Sequence, residues 1–260
     1  MQKRKLPLID IMDKNLFRKI LFYISVPKCV ACGERIDLDD DALCKSCAVD
    51  YNEVKQRNCS RCSLPLYECS CSNEFLENHY VKRLIKVYRY VQHHDFTPSN
   101  NVIYSLKRDN REDVLSFLSS ELECAVRKSV IDPEKYIITN VPRRRAAIKK
   151  YGIDHSRLLA KALAKRLGCE YASYLKSKSK LPQKKTFAEM RISNAEFDIV
   201  NVDLRGKRII IVDDITTTGA SLGSCAALLR ASGAKEIIGA VIAVAYKDKY
   251  EPFAYVPPIK

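Results

Sequence analysis

The sequence predicts an α/β fold, a doubly wound parallel sheet preceded by a small cysteine-rich module. Residues 209–212 are an unbroken β-branched apolar run, which indicates a strand buried on both faces, and residues 136–141 (YIITNV) predict a second buried strand. Helical segments alternate with these strands, as in parallel sheets with right-handed crossovers. Eight of the eleven cysteines occur in pairs between Cys29 and Cys71, a spacing that indicates metal sites rather than disulfides.

Three domains follow from this pattern: residues 1–26, 27–78 and 79–260. Within the first, residues 8–24 carry Ile9, Met12, Leu16 and Ile20 on one stripe, which predicts an amphipathic helix. Charged residues interrupt the segment, so it matches neither a signal peptide nor a membrane span. We therefore expect a cytoplasmic protein without a transmembrane segment, and peripheral binding at the inner face of the membrane is left open as an alternative.

The positive charge of the chain is concentrated in one segment. The whole chain has a formal net charge of +14, and residues 140–195 alone contain 15 basic and three acidic residues, a net +12. Such a segment suits a pyrophosphate, a nucleic-acid backbone or both, although a solvated helix face is the simpler interpretation of a basic run.

The first four cysteines form two C-x-x-C pairs separated by eleven residues. This spacing supplies four thiolates for one tetrahedral Zn²⁺, a closed site with a structural role. The predicted ligands are Cys29, Cys32, Cys44 and Cys47.

The second set of four is less regular, because its last pair is C-x-C. We predict a second Zn²⁺ here, with replacement of one thiolate by His79, free or disulfide-bonded thiols, and an iron–sulfur cluster as alternatives. The predicted ligands are Cys59, Cys62, Cys69 and Cys71.

The segments between the cysteines and the basic turn predict a strand and two helices. Residues 81–92 form the strand, and Thr97-Pro98 begins a helix that ends near Arg108. Residues 111–128 form the second helix, whose apolar side includes Cys124. We expect Cys124, Cys169 and Cys225 to be core thiols.

The strand at residues 136–141 ends in the cationic turn Pro142–Arg145, and a crossover helix follows at 151–167. Residues 174–185 are polar and lysine-rich, which predicts a mobile loop. Residues 201–212 lead into the next strand, residues 220–232 form its helix, Gly233 ends that helix, and residues 236–246 form the last strand.

The segment VDDITTTGAS at residues 212–221 has the features of an anion site. Two acids follow a buried strand, and three threonines and a glycine lead into a helix N-terminus, where unsatisfied N–H groups favour a phosphate. The segment lacks the residues of a P-loop and of a G-x-G-x-x-G turn. A response-regulator receiver is excluded, because fewer than fifty residues follow Asp214.

This segment resembles the 5-phosphoribosyl 1-pyrophosphate (PRPP) signature of the type I phosphoribosyltransferases. The resemblance implies a sheet of that kind, with Mg²⁺ accompanying PRPP. It implies that Asp213 and Asp214 contact the ribose. It places the 5-phosphate on Thr216, Thr217, Thr218, Gly219, Ala220 and Ser221, and the pyrophosphate on Arg143, Arg144 and Arg145.

Nearly the whole chain resembles the ComF family, through the paired cysteines, Leu106-Lys107, Val141-Pro142-Arg143, Arg191-x-x-Asn194 and VDDITTTGAS. The family implies PRPP binding in single-stranded DNA uptake during competence or in DNA processing, with DNA or a competence helicase as partner. An active phosphoribosyltransferase and a PRPP sensor without chemistry are the alternatives. Many members have R-G-F-N-Q where residues 151–155 are Y-G-I-D-H, so we interpret His155 as a surface residue rather than a catalyst.

Overall fold

The computed structural model describes residues 27–37, 40–90, 97–109, 111–143, 148, 152–178 and 197–245. The predicted helix at 8–24, Arg144, Arg145, residues 179–185 and the segment 191–194 lie outside these ranges. Among the described residues, no helix is long and apolar enough to cross a membrane.

A parallel sheet of five strands forms the centre of the molecule, and a separate two-stranded antiparallel ribbon lies beside it. The seven strands are β1 (Arg83–Tyr90), β2 (Ile137–Asn140), β3 (Glu170–Tyr171), β4 (Leu175–Ser177), β5 (Phe197–Ile199), β6 (Arg208–Thr216) and β7 (Glu236–Ala245). The order in the sheet is β1-β7-β6-β2-β3, and β4 pairs with β5.

Six helices are described: α1 (Lys45–Lys55), α2 (Glu74–Asn78), α3 (Pro98–Asp109), α4 (Glu112–Ser129), α5 (His155–Leu167) and α6 (Ala220–Ala231), together with a 3-10 turn at Pro133–Lys135. The Thr97 hydroxyl accepts a hydrogen bond from Asn100 N at 3.3 Å, which confirms the predicted start of α3.

Alternate residues of β6 point into two different hydrophobic cores. Ile210 and Val212 belong to the core that contains buried residues of α3, α4 and α5, whereas Ile209 and Ile211 belong to the core that contains α6. Leu76 of α2 is part of this second core, as are Leu175 and Phe197 of the ribbon. Helices therefore cover both faces of the sheet, which confirms the predicted doubly wound α/β class.

The chain reverses its direction of progress across the sheet between β2 and β6. From β2 the chain continues to its neighbour β3 on one side, and from β6 it continues to β7 on the other. The helices that follow these two strands, α5 and α6, therefore lie on opposite faces. Open α/β sheets bind their ligands at such a switch point, in the crevice outside the carboxyl ends of the strands.

Three local predictions are corrected. Cys124 is exposed rather than a core thiol, because the buried side of α4 is made by Leu118, Leu122 and Ala125, and Cys124 lies on the opposite side. The crossover helix begins at His155 rather than at residue 151, because the Asp154 side chain accepts from Arg157 N and caps it. Part of the predicted loop at 174–185 is strand β4.

Candidate functional site

The two acids of the phosphate segment lie on an overhanging part of β6. Pairing with β2 ends at Asn140 and Val212, and beyond it β6 pairs only with β7 as far as Thr216. The predicted strand end at Val212 is therefore four residues too early. Because β2 stops there, Asp213 and Asp214 stand at the opening between the two strands.

These acids have different hydrogen-bond environments. Asp213 Oδ1 accepts from the Ser156 hydroxyl at 2.7 Å and from Asp214 N at 2.9 Å. Asp214 is buried, and its Oδ1 accepts from Ile215 N at 2.8 Å. Its Oδ2 forms an ion pair with Lys107 Nζ at 3.2 Å, and within the described part of the chain it accepts no hydrogen bond of good geometry. A buried carboxylate oxygen without a well-aligned hydrogen bond is suited to a ligand that brings a donor.

The pKa values of the two acids move in opposite directions. Burial, together with the adjacent carboxylate of Asp214, raises the pKa of Asp213 to about 8. Burial also disfavours the charged form of Asp214, but Lys107 and Arg143 outweigh it and hold the pKa of Asp214 below its ordinary value. Without a ligand at physiological pH, the pair therefore consists of one carboxylate and one largely protonated acid.

The basic turn after β2 is fixed against the start of α5. Arg143 N donates to Asp154 Oδ2 at 3.2 Å, while Asp154 Oδ1 caps the helix by accepting from Arg157 N at 3.1 Å. The Arg143 guanidinium contacts His155 Nδ1, and His155 is fully buried. The interpretation of His155 as a surface residue is therefore wrong. Burial and the positive charge of Arg143 lower the pKa of His155, so its Nδ1 accepts from the guanidinium.

The threonine-rich turn joins β6 to the N-terminus of α6. Thr216 is buried, whereas Thr217 and Thr218 are exposed, and Thr218 Oγ1 accepts from Ala220 N at 3.3 Å. Gly219 has a φ of +85° and is the N-cap residue of α6. Ala220 and Ser221, both exposed, form the first turn of this twelve-residue helix. Exposed hydroxyls and a helix N-terminus give the turn the properties of a phosphate cradle.

Sequence reasoning did not assign roles to two members of this site. Lys107, from α3, and Ser156, from α5, both contact the acid pair. Lys107 appeared only within the Leu106-Lys107 resemblance, and Ser156 carries no motif, because its contact with Asp213 spans 57 residues. Of the three predicted arginines, the structure describes Arg143 alone.

The eight paired cysteines form two groups of four. Within each group, the four sulfur atoms all lie within 4.8 Å of one another. Two sulfurs bound to a tetrahedral zinc at about 2.3 Å lie roughly 3.8 Å apart, and the Cys32 and Cys44 sulfurs are 3.8 Å apart. All eleven cysteines are free thiols. The donor sets therefore fit two tetrahedral metal sites of four cysteines each.

His79 does not belong to the second group, which Cys69 and Cys71 complete despite their irregular spacing. The ring of His79 stacks on Phe75, and its Nδ1 is 2.7 Å from Phe75 O. Among the described residues, the cysteines alone supply the ligands of this second group.

The family model for the phosphoribosyl transferase domain matches residues 154–256. The DNA utilization protein YhgH of Salmonella typhi is 27% identical over 220 residues, which cover 80% of this chain and 93% of that protein. Ribose-phosphate pyrophosphokinase of Thermococcus kodakarensis is 40% identical over 80 residues, but the chain spans only 24% of its length. Adenine phosphoribosyltransferase of Mycobacterium marinum is 36% identical over 91 residues, 34% of this chain and 48% of that enzyme.

Solved structures also resemble the chain. Glutamine phosphoribosylpyrophosphate amidotransferase from B. subtilis has a TM-score of 0.41 at 21% identity, covering 54% of this chain and 30% of that one. The transferase domain, the relatives that extend over most of the chain and the two four-cysteine groups occur together in one sequence. This combination is the one that the resemblance to the ComF family implies.

Proposed function

We propose that the chain binds PRPP at the switch point between β2 and β6. The observation that carries this proposal is the buried Asp214 Oδ2, which is paired with Lys107 but accepts no hydrogen bond of good geometry from the described residues, and which lies beside a turn with the features of a phosphate cradle. A ribose presents two vicinal hydroxyl donors and a 5-phosphate. Asp213 and Asp214 then accept from the hydroxyls, while the turn from Thr216 to Ser221 holds the phosphate.

Arg143 is the described group best placed for the pyrophosphate. Asp154 and His155 fix its backbone and side chain just after β2, the strand that pairs with β6. A guanidinium binds phosphate oxygens with two parallel hydrogen bonds, which favours Arg143 for this role. We propose Arg144 and Arg145 as further contacts on the basis of the family resemblance.

We propose Zn²⁺ as the metal of both cysteine groups, because four thiolates at tetrahedral spacing are a typical structural zinc donor set. For PRPP, Mg²⁺ fits the acids of the site, since carboxylate and phosphate oxygens are its preferred ligands. Bound with PRPP, Mg²⁺ would neutralise negative charge on the pyrophosphate.

We further propose that this site serves DNA utilization, as in the relatives that carry that name. The net charge of +12 in residues 140–195 supports contact with a single-stranded DNA backbone. A competence helicase as partner and binding at the inner membrane face remain sequence-based predictions.

Transfer of 5-phosphoribose to a nitrogen nucleophile, with release of pyrophosphate, is the second candidate. The 36% identity to adenine phosphoribosyltransferase over 91 residues favours this candidate. In that reaction the nitrogen lone pair attacks C1 of the ribose, the C1–O bond breaks, and the pyrophosphate leaves with the bonding electrons. Arg143 would stabilise the charge that develops on the leaving group. Measurement of pyrophosphate release from PRPP across nucleobases and single-stranded DNA separates binding alone from transfer.

Calorimetry with PRPP and Mg²⁺ tests the binding proposal. Binding is expected for the wild type and is expected to be lost in Asp213→Asn/Asp214→Asn. Asp203→Asn is the matched control, because Asp203 is an exposed acid paired with Arg205 rather than with the site. Equal binding by all three proteins would contradict the assignment of the acids.

Fluorescence anisotropy with labelled single-stranded DNA tests the DNA proposal. Replacing Lys176 and Lys178 with Gln is expected to weaken binding and to make its dependence on salt shallower by about two phosphate contacts. Lys45→Gln/Lys55→Gln, on α1 in the cysteine-rich module, serves as the equal-charge control. An unchanged salt slope in the first variant would exclude these lysines from DNA contact.

A further inference from the structure

Helix α2 lies between the second cysteine cluster (Cys59, Cys62, Cys69 and Cys71) and the turn at residues 216–221, which we call the phosphate turn. It connects the two through direct contacts. It begins three residues after Cys71, and its N-cap residue, Asn73, donates from Nδ2 to Thr218 O at 3.3 Å. The same side chain accepts from Leu76 N at 2.9 Å, which caps the helix. Asn73 therefore holds α2 and the phosphate turn at the same time.

The hydrogen bond from Asn73 also orients the amide that follows. In a trans peptide the C=O and N–H groups point in opposite directions. With Thr218 O directed at Asn73, the N–H of Gly219 points away from α2. Backbone N–H groups directed into such a turn are the donors that bind a phosphate.

The packing beneath the turn leaves no free space. A Cβ atom on Gly219 would lie 2.6 Å from Leu76 Cγ, and one on Gly223 would lie 2.9 Å from Phe75 Cε1 and 3.1 Å from His79 Cβ. Real Cβ atoms essentially never approach other atoms under 3.0 Å. A shift of α2 therefore displaces the backbone of the turn, because side chains and backbone are already in contact.

The second cluster holds α2 near this same end. Arg61, which lies between Cys59 and Cys62, donates to Ser72 O at 2.5 Å and to Glu77 Oε1 at 2.7 Å. Lys86, a buried residue of β1, donates to Cys71 O at 2.8 Å. The residues that carry the thiolates thus fix the start of α2 on both sides.

We propose that the second cluster positions the phosphate turn, so that metal bound to Cys59, Cys62, Cys69 and Cys71 strengthens binding of a 5-phosphorylated ribose. This inference rests on the proposed function, because it concerns the same turn. Asn73 and Leu76 act as positioning residues through the backbone of Thr218 and Gly219. The first cluster packs in the other hydrophobic core, away from α6, so its metal is expected to affect stability without this specific effect.

The first test compares ligands on matched asparagine variants. Asn73→Ser keeps a capping oxygen for α2 but loses the donor to Thr218 O, and Asn78→Ser makes the same change at the exposed end of that helix. Calorimetry with ribose 5-phosphate is expected to show about fivefold weaker binding for Asn73→Ser alone. Binding of pyrophosphate, which we assign to Arg143, is expected to be unchanged, whereas general destabilisation would weaken both ligands.

The second test compares the clusters. Cys62→Ser and Cys32→Ser each alter the second cysteine of a C-x-x-C pair, and each is expected to lower the measured zinc content of the chain. Hydrogen exchange of residues 216–223 is expected to accelerate in Cys62→Ser and not in Cys32→Ser. Ribose 5-phosphate binding is expected to weaken about tenfold in Cys62→Ser only.

Equal effects of the two cysteine variants, or no effect of Cys62→Ser on exchange in the turn, would overturn the coupling. Failure of the wild type to bind ribose 5-phosphate would instead overturn the proposed function. The exchange measurement decides on the coupling in that case as well, because it needs no ligand.

Discussion

The two cysteine clusters have similar chemistry but different surroundings. In the first, Cys29 and Cys47 belong to the large hydrophobic core that also contains α3, α4 and β1. In the second, Cys59 and Cys69 form a small core of their own with Leu66, and Cys62 is exposed. A metal cluster within a main core contributes chiefly to folding, whereas a cluster outside it can affect its immediate neighbours separately.

The contacts beyond the clusters extend this difference. Tyr51 and Lys55 of α1 both contact Glu121 of α4, so the first cluster is attached to the helical face of the domain. The segment after the second cluster instead reaches the phosphate turn through Asn73 and Leu76. Four cysteines thus lie within the main core in one place and next to a segment that contacts the threonine-rich turn in the other.

Loss of one thiolate from each cluster is expected to give the largest effect. Cys29→Ser should reduce the free energy of unfolding by about 4 kcal/mol or more, since it disrupts metal binding within the main core, and Cys59→Ser by roughly half as much. Urea unfolding with parallel zinc analysis measures both. Equal losses would show that the clusters contribute to stability alike.

Disruption of the packing between α2 and the phosphate turn is expected to give the next largest loss of stability. Gly219→Ala should cost about 3 kcal/mol, because it combines a positive φ with a clash against Leu76. Leu76→Ala should cost about 3 kcal/mol through the cavity it leaves. In the double variant the smaller side chain relieves the clash, so the two losses should fall short of additivity by about 1 kcal/mol or more. Additive losses would rule out direct packing.

Asp213 gives a pH-dependent effect that should be independent of the second cluster. Its pKa is about 8 in the folded chain and about 3.9 when unfolded, so the folded state keeps a proton that the unfolded state loses, and its stability falls as pH rises from about 4 to about 8. The side chain of Asp213→Asn cannot ionise, so the stability of this variant relative to wild type should increase by about 2 kcal/mol from pH 6 to pH 8. Thermal unfolding across this range measures the difference.

The same pH series in a Cys59→Ser background sharpens the comparison. The pH effect should persist there, because Ser156 and Asp214 contact Asp213 and neither is near the second cluster in the chain. Asp203→Asn, at an exposed acid whose pKa is lowered by Arg205, is the control and should show no such gain. Disappearance of the effect in Cys59→Ser would mean that the second cluster also controls the acids.

Removal of one ion pair near each cluster is expected to change the free energy of unfolding least. Glu121→Gln removes the partly buried partner of Lys55 and Tyr51, and it should cost about 1 kcal/mol in urea unfolding. Glu77→Gln removes the partner of Arg61, whose ion pair is much more exposed, and should leave the free energy of unfolding unchanged. A larger loss of unfolding free energy for Glu77→Gln than for Glu121→Gln would contradict a peripheral position of the second cluster.

Local chemistry made the main elements predictable from sequence. The apolar run before Asp213 predicted a buried parallel strand, and the Thr97-Pro98 pair predicted the start of α3, because both signals depend on neighbouring residues. Cysteine spacing likewise predicted both metal groups, including the irregular pair Cys69 and Cys71. Residues with weak local signals, such as Cys124 and His155, were placed wrongly.

The sequence by itself determined the fold class, the two metal-binding groups and the acid and threonine segment, since each is coded by short-range periodicity or spacing. Only the tertiary structure decided that Lys107, Ser156 and Arg143 surround the acids. It alone placed α2 beneath the phosphate turn, where Asn73 and Thr218 are 145 residues apart in the chain. Such contacts depend on strand order and on which face each helix covers, and neither is written in the residues next to the site.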